Sequence, residues 1–314
     1  MEWSCPIGKN ESRSTICMYE RKGYTLRKYN HLLTITIMII IIYSVLHYTN
    51  QTEESFTYFP ANQNAYFQTA ETSLTMLDQS NEGYTILWRT GSVLDRKAYL
   101  RQDISFLFGN GFLVDSMGKE WKQQTDKINL EKKVVQNESA NYKAISFHHA
   151  EIHSNDSITS SQKMTYDDLY VLDSKFSTLH SFHQPTNNEE QEWKKIIDNL
   201  IQQRLQVSLE KAQKTLGINP DHYTIFPLTD LYQYEERPLQ GFSVQETKEI
   251  IGRLWEGVYK NYFLGIQKKD GTTTDPRGST IPLILISKDK SHLLVISQLL
   301  NGEVVSLRQQ IPSH

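Results

Sequence analysis

The segment Phe147-His148-His149-Ala150-Glu151-Ile152-His153 places histidines and a carboxylate at alternating positions. On a β-strand, alternate side chains share a face. His149, Glu151 and His153 then project together, while Ala150 and Ile152 turn inward. Two imidazoles and a carboxylate suit zinc or another divalent ion and leave room for a water, whose pKa such an ion lowers. His180 and His183 follow closely and could complete the set, so the candidate metal ligands are His149, Glu151, His153, His180 and His183. Geometry argues against three ligands from one strand, because positions i, i+2 and i+4 spread over about 13 Å. Two neighbours plus a residue from elsewhere would be needed. A polar outer strand face accounts for the same pattern without a metal.

The other chemical patterns are weaker. Ser160-Ser161-Gln162-Lys163 and Ser287-Lys288-Asp289-Lys290 match S-x-x-K. A serine nucleophile with a lysine base needs both on one helix face, with S-D-N and K-T-G motifs in support. Neither match lies in a helical pattern, and the supporting motifs are absent. Hydrolase-elbow, zincin, dinucleotide-binding and Walker A patterns are absent as well. Asp167 and Asp168 are adjacent carboxylates, but neighbours on a strand point to opposite faces.

The elements expected to position these residues form an α+β arrangement. Residues 84–89, 98–108, 112–115, 143–153 and 169–172 read as strands. Asn110-Gly111 between apolar runs is a hairpin signal, because both central residues must take positive φ. Residues 65–77 carry Phe67, Ala70, Leu74 and Leu77 at helical spacing and predict a brief helix. The polar segments 116–142 and 154–166 read as long loops or, around 119–133, as a short helix. A long amphipathic helix starts at Asn187 or Asn188, with Glu189 and Glu190 favoured by its dipole. Its apolar stripe is Trp193, Ile196, Ile197, Leu200, Ile201, Leu205, Leu209, Ala212 and Leu216, and Gly217 stops it. Ser243-Val244-Gln245-Glu246 is a capping box opening a second helix, with Trp255, Val258, Tyr259, Tyr262 and Phe263 on its buried face. Three antiparallel strands are expected after residue 280. Without β-α-β alternation, a doubly wound parallel sheet is disfavoured.

The strongest single feature lies near the start. Residues 32–46 are almost wholly apolar, and no charge interrupts 29–52. About 20 helical residues cross a hydrocarbon core of about 30 Å. Lys9, Arg13, Arg21, Lys22, Arg27 and Lys28 precede this run, and after it no Lys or Arg occurs before Arg89. Basic residues stay cytoplasmic, which puts the N-terminus inside and the bulk outside. A cleaved signal peptide would have a shorter apolar run and a small-residue cleavage site close behind it. The expected plan is a cytoplasmic tail (1–29), a transmembrane anchor (30–49), a stalk with a short helix (50–82), a β-rich part (83–185) and a helical part ending in a meander (186–314). Residues 83–314 could form one domain.

The chain has 33 basic and 36 acidic residues, a net charge of −3. The tail takes six of the basic and three of the acidic residues, leaving 27 against 33 outside it, a net of −6. Nucleic-acid binding needs a positive footprint and is disfavoured. The only cysteines, Cys5 and Cys17, fall in the tail. A large animal or plant luminal domain usually carries disulfides, so a cysteine-free outer part suits a bacterial envelope. The expectation is a single-pass membrane protein whose extracytoplasmic domain binds a protein partner or envelope component, as a regulator or accessory factor, with no cofactor. The alternative is a divalent-metal-dependent hydrolase built on the histidines of residues 148–183.

Overall fold

The computed structural model describes Met38 and residues 57–80, 83–121, 124–174, 177–267 and 271–312. The expected tail and anchor therefore lie outside the described residues, apart from Met38. No helix among the described residues is long and apolar enough to cross a membrane. Ser55–His314 forms one compact unit.

Strands β1 (Phe67–Ser80), β2 (Gly83–Ala98) and β5 (Thr125–Gln136) make a three-stranded sheet in the order β1-β2-β5. Strands β3 (Leu100–Gly109), β4 (Phe112–Trp121), β6 (Ala140–His153), β7 (Ile158–Ser174) and β8 (Ser177–Phe182) make a five-stranded sheet in the order β4-β3-β6-β7-β8. Helix α1 (Asn188–Leu216) comes next, then β9 (Tyr223–Pro227), a 3₁₀ segment (Leu228–Glu235) and helix α2 (Val244–Val258). Helix α2 runs on into a π turn (Tyr259–Phe263), followed by the ribbon β10 (Ile266–Gln267) and β11 (Thr273–Thr274). Strands β12 (Leu283–Ser287), β13 (His292–Gln298) and β14 (Val304–Gln310) join β9 in the order β14-β13-β12-β9.

This overturns the expected fold class. The described residues are mostly antiparallel sheet, 50% strand, rather than the expected α+β arrangement, and none of their helices is long and apolar enough to span a membrane. The missing strands were hidden by polar residues on both faces. In β1, Thr72, Leu74 and Met76 turn inward, and Glu71, Ser73 and Thr75 point out. That is a period of two, so the expected helix over 65–77 does not form. The inward threonine masked the alternation. In β5 the inward series is Ile128, Leu130, Lys132 and Val134, with Lys127, Glu131 and Lys133 outside. A strand with one solvated face reads as a loop when its outer positions are charged. The polar segment 154–166 forms the turn and first half of β7. Nor is the start of the unit a free stalk. The Asn62 amide donates to the Ser160 carbonyl at 2.7 Å, and the Arg253 guanidinium lies 5.3 Å from the Tyr58 ring centre.

Local signals worked where the chemistry was explicit. Asn110 (φ 49°) and Gly111 (φ 87°) form the two-residue turn between β3 and β4. The Asn187 side chain accepts from the Glu190 amide, and Gly217 (φ 67°) closes α1. The Ser243–Glu246 capping box opens α2. The last three strands pair antiparallel as expected.

The five-stranded sheet is covered on both sides. One face packs on the three-stranded sheet, through Leu107, Ala144 and Leu169 against Leu74, Ile86 and Trp88. The other face packs on the helices. There the Trp255 ring stacks on Phe147 at 5.0 Å and on Phe106 at 6.0 Å. Each such pair adds about 1 kcal/mol to the area it buries. Helix α1 and the four-stranded sheet close this core through Ile197, Ile201, Leu205, Ile284 and Ile296.

Candidate functional site

The antiparallel ladder decides where the histidines go. In the β3–β6 register His148 faces Asp103, and His149 faces Gln102. The two imidazoles therefore point to opposite faces of a sheet buried on both sides. Both are fully buried. His149 sits on the helix-side face beside Phe147, with rings 6.2 Å apart and near-parallel. Burial, with a smaller contribution from the Arg101 charge, pulls its pKa down to about 3. Glu151 and His153 share that face at the sheet's end, 3.2 Å apart, and His153 stacks on Tyr99 at 4.0 Å.

The remaining candidates are elsewhere. His149 opposes Gln162 on β7, whereas His180 on β8 opposes Leu172. Ten residues of β7 separate those levels, roughly 30 Å at strand rise. His180 lies 3.9 Å from Glu190, and His183 lies 3.1 Å from Asp167. Among the described residues, no group of three or more His, Cys, Asp or Glu side chains could hold a metal ion. The proposed ligand set His149, Glu151, His153, His180 and His183 is thus split between a buried position, a sheet end and an edge strand. Ser160 and Lys163 lie on strand β7, three residues apart and so on opposite faces. Asp167 accepts from the Leu74 amide at 2.6 Å, while Asp168 turns to Lys143 at 3.6 Å.

The polar cluster the sequence did not reveal lies between the two N-terminal sheets. His148 Nδ1 is 2.7 Å from Asp103 Oδ2, and His148 Nε2 is 2.8 Å from Thr165 Oγ1. Ser92 donates to Asp103 Oδ2 at 2.7 Å, and the Arg101 guanidinium donates to Ser92 Oγ and to the Asp126 carbonyl. Arg101 Nη2 lies 3.7 Å from Asp103 Oδ1. The hydroxyl chain continues from Thr165 to Thr72, Ser146 and Ser105. Carboxylate, imidazole and hydroxyl in line is the order that activates a nucleophile. Here the hydroxyl is committed to Thr72, and the side chains of Arg101, Asp103 and His148 have no exposed surface. A substrate cannot reach them. They pair their charges inside a low-dielectric interface, where an unpaired charge would be expensive, while Arg101 Nε and Asp103 Oδ1 make no hydrogen bond among the described residues. The one sequence signal was the period-two series Arg101-Asp103-Ser105, whose polarity reads as an outer face.

An accessible concavity lies in the C-terminal half. A groove of about 750 Å³ runs between α2 with its π turn and strands β13 and β14. Its walls include Val258, Ile266, Val295, Val305 and Leu307, with Asn261, Ser297 and Glu303 as polar points. Several features shape it. Strand β14 pairs with β13 alone among the described strands, so its outer edge is open. Gly257 lets the helix approach the strand, since a Cβ there would meet Leu307 Cδ2 at 2.8 Å. The π turn shifts the helix register and aims Tyr262 into the core, where its hydroxyl bonds Ser279 at 2.6 Å.

No family model, curated protein or solved structure matches the chain. The site must be read from its own geometry.

Proposed function

We propose that residues 55–314 form a recognition domain that receives an apolar-faced polypeptide segment of a partner in the groove beside β14. The supporting observation is a roomy, mostly apolar groove next to an open strand edge. A partner segment there can offer main-chain groups to the edge and apolar side chains to the groove, the pattern of β-strand addition. The strongest catalytic-looking constellation, by contrast, is sealed between sheets. The apolar run 32–46 and its basic flank support attachment to a membrane, with the domain on the extracytoplasmic side.

The test is photo-crosslinking of the full chain in its native membrane. A photoreactive residue at Ser306 or Asn261, both exposed in the groove, is compared with one at Asp156 in the β6–β7 turn. A discrete adduct from the two groove positions, lost when Val305→Trp fills the groove, supports the proposal. Adducts from Asp156 alone, or adducts indifferent to Val305→Trp, overturn it.

A further inference from the structure

The apolar stripe of α1 is wider than its buried seam. Ile197, Ile201, Leu205 and Ala212 face the core, but Ile196, Leu200 and Val207 stay 52%, 47% and 60% exposed. These three lie on one flank of the helix, roughly a third of a turn from the buried seam at 100° per residue. The flank also carries Glu189 and Glu192 toward its N-terminus and Lys211 and Lys214 toward its C-terminus, all exposed. Beside it opens a pocket of about 530 Å³ lined by Leu200, Val207 and Leu300, and Leu300 is 83% exposed.

The order of these residues is a palindrome. About a point between Ile201 and Gln202, Glu189 mirrors Lys214, Glu192 mirrors Lys211, Ile196 mirrors Val207, and Leu200 mirrors Gln203. An antiparallel copy of the same helix therefore sets acid against base at both ends and Ile196 against Val207 between them, with Leu200 beside Gln203 at the centre. A two-fold interface demands this self-complementarity, because each contact occurs twice. The stripe repeats every 11 residues (189, 200, 211 and 192, 203, 214), which keeps it on one side of a nearly straight helix for about 38 Å.

We infer that the exposed flank of α1 is a homodimer interface, formed by antiparallel packing on α1 of a second copy, with Leu300 and the pocket beside it at the rim. The contact uses none of the residues that line the β14 groove.

The experiment is sedimentation of the full chain in detergent across a concentration series. The expected result is a reversible dimer that Leu200→Asp with Val207→Asp weakens by about 100-fold. Both positions are exposed, so retained cooperative unfolding of that variant separates lost association from lost folding. Glu192→Lys alone and Lys211→Glu alone should each weaken the dimer about tenfold, since each puts two like-charged pairs into it. The double variant should regain the wild-type constant. An equimolar mixture of the two single variants should pair with each other in preference to themselves. A protein that stays monomeric throughout, a dimer unaffected by the Leu200 and Val207 changes, or a double variant as weak as the singles overturns the inference.

Discussion

His148 and His149 are neighbours in the chain and equally buried, yet they belong to two different interiors. On the His148 face, Asp103, Thr165, Ser146, Thr72, Ser92 and Arg101 form a connected hydrogen-bonded layer between two sheets. On the His149 face, Phe147, Phe106, Met164 and Trp255 form an aromatic layer against the helices. Burial alone does not distinguish them. The polar face holds its charge by partner geometry, whereas the aromatic face tolerates a histidine only by keeping it neutral.

The comparison breaks most sharply at Asp103. Asp103→Ala leaves the Arg101 charge buried without its carboxylate and should cost about 3–5 kcal/mol in urea unfolding. Replacing Arg101 by Met together with Asp103 by Leu should cost far less, because no orphan charge remains. If the double change is as damaging as the single one, the layer is held by shape rather than by charge pairing.

The aromatic face is tested by pH. His149 has a pKa near 3 when folded and about 6.5 when unfolded. The unfolded chain then binds the extra proton between those values, so stability rises with pH across that window. The contribution of neutral His149 is complete above about pH 6.5, and it falls on acidification by up to about 1.4 kcal/mol per pH unit. His149→Phe should remove that slope relative to wild type between pH 6 and 4. An unchanged slope would show that His149 is not the proton acceptor.

Smaller effects sharpen the contrast. Thr72→Val deletes one neutral hydroxyl from the chain Thr165–Thr72–Ser146 and should cost about 1–2 kcal/mol, since buried partners are left unsatisfied. The same hydroxyl-to-methyl change at exposed Thr75 should be close to neutral in the same assay. Asn187→Ala, at the start of α1 and outside both faces, should cost about 1 kcal/mol through the lost cap.

How much was legible follows from the range of each signal. Asn110-Gly111, the Asn187 cap, Gly217 and the Ser243–Glu246 box act within four residues, and each element they predict is present. Strands β1, β5 and the first half of β7 were not legible, because their inward residues include Thr72, Lys132 and Ser160. Those side chains are accommodated by partners far along the chain. The candidate metal residues shared a strand pattern but not a place, since pairing of β6, β7 and β8 set His149 and His180 far apart. The α1 stripe was legible as apolar, but not as two flanks with different fates.

The sequence by itself determined the turns, the caps, the two helices, the terminal meander, and an apolar run with a basic flank near its start. These depend on backbone preference, local hydrogen bonding and hydropathy, which neighbours in the chain can fix. The tertiary structure alone decided which histidine is bonded and which is stacked, that Arg101 and Asp103 are interior, and which flank of α1 stays open. Those outcomes depend on which strands lie side by side and which faces are covered, and partners such as Asp103 and His148, 45 residues apart, leave no local trace.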